Sequence, residues 1–295
     1  MTNTTSPTHA PLTAPLAQPK RPRKASALLL GTALGAIVGM GYGRGAYAQT
    51  TLSGSNTVTL NIDGPGEFVT DDTFSVDTSG DSNADGITIT TEFEDGAETV
   101  FTDNNASPII GGEDGIDAKT NNIGQGAIRI TTSGVVIGDQ KGILAESDEA
   151  SLYISASRRV QGTNDDGIVA SVERDDTSAS LYIEVSEVYG DNYGIDARNY
   201  ASGVLQIEAT GHVEGEDEGG ILAKSQKDTD VVIDVQSASG SRNGIYAKTR
   251  GSGNIIISAS GDVTSYGVHF NYNKGRERWI AEYYNSWHRQ ISGRV

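Results

Sequence analysis

Three acidic side chains occupy the same place in three successive copies of a short apolar segment, and their types and spacing could support chemistry. Glu184, Glu208 and Asp234 each follow an isoleucine in a segment that alternates apolar and polar residues. If these segments stack as neighbouring strands, the carboxylates lie about 4.8 Å apart. Two carboxylates about 5 Å apart suit a retaining glycosidase, and three can hold a calcium ion. A solvated acidic surface is the third interpretation, and it is the one we favour.

Basic side chains recur in the same manner behind a different motif. Arg198, Lys224 and Lys248 each follow the alanine of a tetrapeptide Gly-Ile-x-Ala, in which x varies. Stacked in neighbouring coils, they can bind sulfated or acidic sugars through charge-assisted hydrogen bonds. An ordinary charged surface is the alternative interpretation, and it is the commoner role for such residues.

Two tyrosines form a third row. Tyr153 and Tyr182 hold equivalent positions in consecutive segments, and Val232 and Ile256 hold the same position further along the chain. Aromatic side chains on neighbouring strands usually stabilise the sheet by packing on each other. The alternative is an apolar binding surface for a sugar, a protein or the C-terminal tail of the same chain.

The tetrapeptide that precedes the basic residues is the repeat around which the chain is organised. Its copies begin 27, 25, 27, 26 and 24 residues apart, and a degenerate copy follows after 23 more. The copies start at Gly115, Gly142, Gly167, Gly194, Gly220 and Gly244, and the degenerate copy starts at Gly267. Self-similarity with a period of about 20–50 residues is typical of a solenoid or a propeller.

Each repeat contains three short apolar segments separated by turns. Alternation at every second position is the period of a strand with one buried face. Three strands in about 25 residues predict an all-β fold, a parallel β-helix, because a propeller blade needs about 40 residues. The coil is expected to be right-handed because parallel crossovers are right-handed. The isoleucines of the tetrapeptide should then stack in one column inside the helix.

The repeats divide the mature chain into three regions. Residues 49–112 are predicted to form irregular coils and an N-terminal cap, with Asp85-Gly86-Ile87 as the first recognisable repeat. Residues 113–270 hold the regular repeats, and residues 271–295 form an atypical tail.

The tail has two interpretations. Trp279, Tyr283 and Trp287 lie at i, i+4 spacing, which favours a short amphipathic helix that caps the last coil. The composition also changes abruptly after Phe270, as it would in foreign sequence from a truncated or frameshifted gene.

Residues 1–48 are predicted to be an extended signal peptide. Basic residues at 20–24 precede an apolar run at 25–38, and Ala46-Tyr47-Ala48 fits an A-x-A cleavage site before Gln49. The alternative, a membrane anchor, needs about 20 apolar residues, and this run is shorter.

Charge and cysteine content narrow the classes of partner. Five basic and no acidic residues precede Gln49, so 17 basic and 39 acidic residues remain, a net charge of −22. Nucleic acid and anionic lipid require an excess of Lys and Arg on the contacting face, so neither is an expected partner. The chain has no cysteine, so it has no disulfide framework.

The sequence lacks the common catalytic signatures. The sequence contains no G-x-S-x-G elbow, H-E-x-x-H motif, phosphate-binding loop, dinucleotide fingerprint or calcium nonapeptide repeat. A Ser-His-Asp triad built on His212, His269 or His288 stays open, because stacked coils bring distant residues together. A non-enzyme is therefore the favoured interpretation.

The chain resembles the passenger region of a Gram-negative autotransporter, the exported β-helix of type V secretion. The resemblance rests on the extended signal peptide ending at Ala46-Tyr47-Ala48, the six Gly-Ile-x-Ala repeats and the lack of cysteine, and it covers about residues 20–270. The family ends in a C-terminal β-barrel that conducts the passenger outward, and nothing after Phe270 resembles one. The resemblance thus implies a fragment of a longer protein, or a chain that stays in the periplasm.

Together these features lead to a functional expectation. The resemblance implies an adhesin or structural stalk at the cell surface or outside the cell, with a cell-surface glycan, a protein or another copy of the chain as its partner. A membrane is expected to be contacted only through a missing or separate β-barrel translocator. No cofactor is expected, apart from the calcium ion considered above. The rival hypothesis is a β-helical polysaccharide lyase or glycosidase that uses the carboxylates Glu184, Glu208 and Asp234.

Overall fold

Twenty-five β-strands and no helix make up the part of the chain that the computed structural model describes, residues 49–91, 96–120, 126–265 and 279–283. The strands pair in parallel throughout these residues, and each coil of the chain adds one strand to each of three ladders. Register partners in successive coils of the first ladder are 24 to 29 residues apart. The predicted all-β parallel solenoid is therefore confirmed, and its right hand stays a prediction.

The first ladder contains the tetrapeptide repeats. Each strand pairs with the equivalent strand of the next coil. Its members are β3 (Leu60–Asp63), β6 (Ile87–Thr91), β9 (Ile116–Thr120), β12 (Ile143–Ser147), β15 (Ile168–Val172), β18 (Tyr193–Asn199), β20 (Gly219–Ser225) and β22 (Asn243–Thr249).

The second ladder contains the alternating segments, and ten strands pair along it. Its members are β1 (Gln49–Leu52), β4 (Gly66–Thr70), β7 (Thr99–Asp103), β10 (Ile128–Thr132), β13 (Leu152–Ala156), β16 (Leu181–Val185), the first part of β19 (Leu205–Gly215), the first part of β21 (Val231–Gly240), β23 (Ile255–Ala259) and β25 (Trp279–Tyr283).

The third ladder consists of shorter strands. Its members are β2 (Ser55–Asn56), β5 (Ser75–Asp77), β8 (Ile109–Gly111), β11 (Val136–Gly138), β14 (Val160–Gly162), β17 (Val188–Gly190), the last parts of β19 and β21, and β24 (Val263–Ser265). The second and third ladders form one sheet because β19 and β21 run through both without a break.

The core is a set of side-chain columns, one above another along the solenoid. The tetrapeptide isoleucines are in register, and five of them are fully buried: Ile116, Ile143, Ile168, Ile195 and Ile221. The sixth, Ile245, is only partly buried because β22 is the last described strand of its ladder. The predicted isoleucine column is therefore confirmed.

Glycines end the third strands for a steric reason. A Cβ atom on Gly138 would lie 1.7 Å from the carbonyl oxygen of Lys141, and one on Gly190 would lie 1.9 Å from that of Tyr193. No side chain fits at such distances, so the turn into the first strand of the next coil requires glycine.

Strand pairing continues into the N-terminal coils, and the C-terminal tail differs from the sequence prediction in part. Strand pairing crosses the predicted boundary at residue 112 without a break, since Ile87 pairs with Ile116 and Leu60 with Ile87. The amphipathic helix predicted for the tail is wrong for Trp279–Tyr283, which form β25 alongside β23. Residues i and i+4 share a face in a strand as well as in a helix, so the aromatic spacing did not distinguish the two.

Several predictions fall on parts of the chain outside the described residues. They concern the signal peptide at 1–48, the degenerate repeat at 267–270 and the rest of the tail at 271–278 and 284–295. Within the described residues there is no helix that could span a membrane.

Candidate functional site

The acidic row lies on the outer side of the second ladder, as predicted. Glu184 pairs with Glu208, and Glu208 pairs with Asp234, on adjacent strands, and all three residues are exposed. The Nε2 atom of Gln206 donates a hydrogen bond of 2.6 Å to Glu208. Among the described residues, no three His, Cys, Asp or Glu side chains are grouped closely enough to hold a metal ion. The carboxylates therefore share a row without sharing a coordination centre.

The tyrosine row is stacked. The ring centroids of Tyr153 and Tyr182 are 5.0 Å apart, and their planes differ by 7°. The guanidinium carbon of Arg129 lies 3.6 Å from the centroid of the Tyr153 ring. The side chain of Arg129 also forms an ion pair with Glu98. A shallow cleft of about 170 Å³ is lined by Arg129, Tyr153, Tyr182 and Glu184, together with nearby hydroxyl side chains.

The stacking restricts what the tyrosines can bind. Arg129 covers one face of the Tyr153 ring and Tyr182 covers the other, so a sugar ring cannot stack on Tyr153. The face of Tyr182 turned towards Gln206 on the next strand is not covered by another ring. The observed geometry therefore supports mainly the stabilising role of the tyrosine row.

We expect the two tyrosines to stabilise each other measurably. In a double-mutant cycle with Tyr153→Ala and Tyr182→Ala, the coupling free energy should be about 0.5–1.5 kcal/mol, as is usual for stacked aromatic pairs. The measurement is the free energy of urea unfolding of the four proteins. A coupling of zero would contradict the stacked arrangement, and the pair Tyr153 with Tyr246, which lies on a different ladder, serves as the uncoupled control.

Outward side chains of the first ladder are more buried than those of the second, which the sequence did not predict. Leu144 and Leu222 alternate with core residues and so point away from the core, yet only 9% and 4% of their surfaces are exposed. Asp196, in the same column, is 4% exposed. By contrast, Ile256 on the outer side of the second ladder is 41% exposed. We call this closely covered strip of the outer face the groove. Its floor is Asp117, Leu144, Val169, Asp196, Leu222 and Tyr246, which are in register.

The basic row borders the groove. Arg198 pairs with Lys224, and Lys224 pairs with Lys248, on adjacent strands, as predicted. Arg198 donates two hydrogen bonds to the buried carboxylate of Asp196, which raises the pKa of Arg198 and neutralises its charge. The pKa of Lys224 is lowered by burial, and the positive charges of Arg198, Lys248 and Arg250 lower it further, against the opposing effect of Asp196. The effective cations of the row are therefore Lys224 and Lys248, with Arg250 close by.

Aspartates in the turns before the first strands form the opposite border of the groove. The Oδ1 atoms of Asp85, Asp114 and Asp166 each accept a hydrogen bond from the backbone N–H of the equivalent residue in the next coil, at 3.2, 3.0 and 2.8 Å. Burial raises the pKa of Asp114 and of Asp166 from 3.8 to about 6. These carboxyl groups therefore titrate near neutral pH, and the recurring Asp-Gly-Ile sequence was the available signal for them.

One further carboxylate lies on the groove floor. Burial raises the pKa of Asp117, although its Oδ2 atom is 3.1 Å from Nζ of Lys119. Its Oδ1 atom is buried and has no hydrogen-bond partner among the described residues. Lys141, whose Nζ atom lies 3.1 Å from Asp165 and 4.0 Å from Asp114, places a positive charge on the border nearby.

His212 has the partners of a hydrolase histidine but not their arrangement. Its Nδ1 atom is 2.8 Å from Oγ of Ser237, and its Nε2 atom is 3.0 Å from Oγ of Ser239. The carboxylate of Glu214 is 3.8 Å away on the same Nε2 side. Ser237 and Glu214 lie on opposite ring nitrogens, as a catalytic triad requires, but the Glu214 carboxylate is 3.8 Å from Nε2 and so beyond hydrogen-bond distance. His269 and His288 lie outside the described residues.

Comparison of the chain with protein-family models, with curated proteins and with solved structures gives no match in any of the three. The class of the protein is therefore defined by its fold, an all-β parallel solenoid with about 26 residues per turn. The side-chain rows and the groove are the surfaces that this fold presents to a partner.

Proposed function

We propose that this protein is an exported β-solenoid that serves as an adhesin or structural stalk, in the manner of an autotransporter passenger. The observation that carries the proposal is the unbroken parallel pairing of ten strands along the second ladder. At about 4.8 Å per strand, this ladder is about 43 Å long. A rod of this kind can hold aligned rows of side chains at a distance from its point of attachment.

The proposed location and partners follow from the sequence. The extended signal peptide supports export, and the place of action is then the cell surface or the extracellular space, or the periplasm if no translocator accompanies the chain. The partner is a cell-surface glycan, a protein or a second copy of the chain. The net charge of −22 after residue 48 opposes nucleic acid and anionic lipid as partners.

The geometry gives less support to a polysaccharide lyase or glycosidase. A glycosidase or lyase needs its carboxylates placed on either side of the bond that it cleaves, in a site that holds the substrate. Glu184, Glu208 and Asp234 are exposed on an open outer face, and the coils of the first ladder differ in length by only five residues, which leaves little chain for loops around a cleft.

Cleavage of the signal peptide is the first expected result. When the full chain is expressed in a Gram-negative host, the mass of the exported protein should correspond to a chain that begins at Gln49. Ala46→Asp with Ala48→Asp should block this cleavage because the peptidase accepts only small residues at these two positions. Tyr47→Asp, between them, is the control that should still be cleaved. An unprocessed wild-type chain would contradict export by this route.

Adhesion separates the proposed function from its enzymatic rival. Beads coated with the full chain should attach to cell surfaces or to surface extracts, and should release no new sugar ends from extracellular glycans. Release of sugar ends that is lost in Glu184→Gln with Glu208→Gln would overturn the proposal in favour of a glycan-degrading enzyme. Failure to attach to any surface, to another copy of the chain or to glycan would leave only the stalk role.

A further inference from the structure

We propose that the C-terminal half of the groove binds an acidic polysaccharide, with Lys224 and Lys248 holding its sulfate or carboxylate groups and Tyr246 supporting its sugar rings. This inference rests on the proposed adhesive function and names the partner for it. The proposed ligand is a linear sugar polymer that carries repeated negative charges.

The charges of the two lysines are available to a ligand. Among the described residues, no carboxylate lies within 4.0 Å of Nζ in Lys224 or Lys248, whereas Arg198 is held by Asp196. The two lysines are register partners on adjacent strands, so their backbones are about 4.8 Å apart. The two adjacent lysines therefore have no direct ion-pair partner among the described residues, and Asp196 acts on Lys224 only from a longer distance.

The electrostatics of Lys224 favour an anion beside it. Partial burial and the neighbouring charges of Arg198, Lys248 and Arg250 lower the pKa of Lys224, and the carboxylate of Asp196 offsets this only in part. An anion placed between Lys224 and Lys248 would reduce this repulsion and favour the charged form of Lys224. Binding would therefore relieve an unfavourable interaction that is already present in the unliganded protein.

The shape of the groove fits a single extended polymer. Leu222 on the floor is covered, with 4% of its surface exposed, whereas Tyr246, its register partner, is half-buried and keeps part of its ring accessible. The groove runs along the solenoid because its floor consists of register partners from successive coils. The accessible part of Tyr246 can pack against the less polar face of a sugar ring, while the lysines on the border bind the charged groups.

Charge distribution argues for a polysaccharide and against a nucleic acid or a membrane. A duplex or an anionic bilayer is bound by a broad basic face. Here the cations form a single row, with the buried carboxylate of Asp196 in the floor and Glu218, which holds Arg242, on the opposite side. A narrow chain can contact the row without approaching these acids.

The test is a binding measurement on the full chain. Three fluorescent probes of equal length are titrated at one fixed salt concentration: a heparin oligosaccharide, an oligogalacturonate and a neutral dextran oligosaccharide. We expect the first, the second or both to bind, and the dextran to bind at least about tenfold more weakly, which corresponds to about 1.4 kcal/mol. Binding of only one acidic probe would show whether sulfate or carboxylate is the group recognised.

Two matched variants locate the site. Lys224→Gln with Lys248→Gln should weaken binding of the acidic probe by about tenfold or more, because two charge-assisted hydrogen bonds are lost. Arg158→Gln with Arg159→Gln removes the same charge from two exposed residues between the second and third ladders, and it should leave affinity within about twofold. Tyr246→Ala, which keeps every charge, should also weaken binding severalfold.

Several outcomes would overturn the proposal. Equal losses in the lysine and arginine variants would show a diffuse charge effect without a site, and no loss in the lysine variant would place binding elsewhere. If Tyr246→Ala binds the acidic probe with full affinity, Tyr246 does not support the sugar rings and this part of the proposal is wrong. Equal binding of a DNA duplex or of anionic lipid vesicles would replace the polysaccharide as partner. If the lysine variant still attaches to cells as the wild type does, this inference fails while the adhesive function stands.

Discussion

Replacing Ile130 by Asp is expected to abolish the folded solenoid. Ile130 is 1% exposed and lies in the core column between its register partners Phe101 and Ile154. A carboxylate at this position has no partner, and burying it costs several kcal/mol whether it stays charged or takes up a proton. The total stability of a domain is only about 5–15 kcal/mol. Because each coil depends on its neighbours, a defect in one coil also destabilises the adjacent ones.

The control for this prediction lies one residue further along the same strand. Thr131 points outward between Thr102 and Ser155, so Thr131→Asp introduces the same charge into a half-exposed position. Far-UV circular dichroism and urea unfolding should show a native-like solenoid for Thr131→Asp and loss of cooperative unfolding for Ile130→Asp. Similar stability of the two variants would contradict the assignment of inner and outer faces.

The register of the solenoid could be predicted from the sequence because two independent periods agree. Alternation at every second residue assigns each side chain to a face, and the regular spacing of the repeats aligns the coils. A slip of one residue would place Ile168 outside and Val169 inside along the whole strand, so the register has little freedom. This is why the rows that include Tyr182, Glu208 and Lys224 were found where they were predicted.

The groove could not be predicted because concavity depends on the path of the turns. The x position of each tetrapeptide was recognisable as outward-facing, but nothing in the spacing shows that Leu222 or Asp196 is almost fully buried. The pairing of Arg198 with Asp196 had a visible signal, since residues i and i+2 share one face of a strand. The sequence did not show that Asp196 pairs with Arg198 and leaves Lys224 without a direct ion-pair partner among the described residues; this contact is visible only in the structure.

Polar residues at the corners show a second limit of pattern reasoning. Asn199 is fully buried, and its side-chain amide donates hydrogen bonds to the carbonyl oxygens of Ala179, Gly203 and Val204. A polar residue next to an alternating segment usually indicates a solvated turn. Here it satisfies backbone groups inside a corner of the coil, which only a three-dimensional account of hydrogen bonds can reveal.

Replacing Asp114 and Asp166 by Asn is expected to stabilise the protein at about pH 7, although both residues make hydrogen bonds. Their pKa values are about 6 in the folded protein, above the value of 3.8 for the free side chain. The folded protein therefore holds these protons more tightly than the unfolded chain does. Stability falls as pH rises from about 4 to about 6, and the cost of the two buried charges is fully present above that range.

The substitution to Asn removes the unfavourable free energy of the buried charges and keeps the hydrogen bonds to the backbone. Asn offers an Oδ1 atom in the same place, so the bonds from the backbone N–H groups of Lys141 and Tyr193 are retained. A shift of one pKa unit corresponds to about 1.4 kcal/mol, and with allowance for partial solvent screening we expect about 1 kcal/mol from each residue. For a domain of this size the melting temperature should rise by about 4–8 °C at pH 7.

The pH dependence tests the cause as well as the size of this effect. Burial has the largest effect on the pKa of both carboxyl groups. Neighbouring acids raise the pKa further: Asp85 and Asp117 act on Asp114, and Asp165 and Asp196 act on Asp166. The positive charge of Lys141 lowers the pKa at both positions. The advantage of the double variant should therefore shrink as pH falls from about 7 to about 4, because the wild-type carboxyls then become neutral too. Asp175→Asn with Asp217→Asn removes two exposed charges and should show no such pH dependence. If the Asn variant is less stable than the wild type at neutral pH, the attraction of Lys141 outweighs burial, and the two aspartates are stabilising ion-pair partners of the groove border.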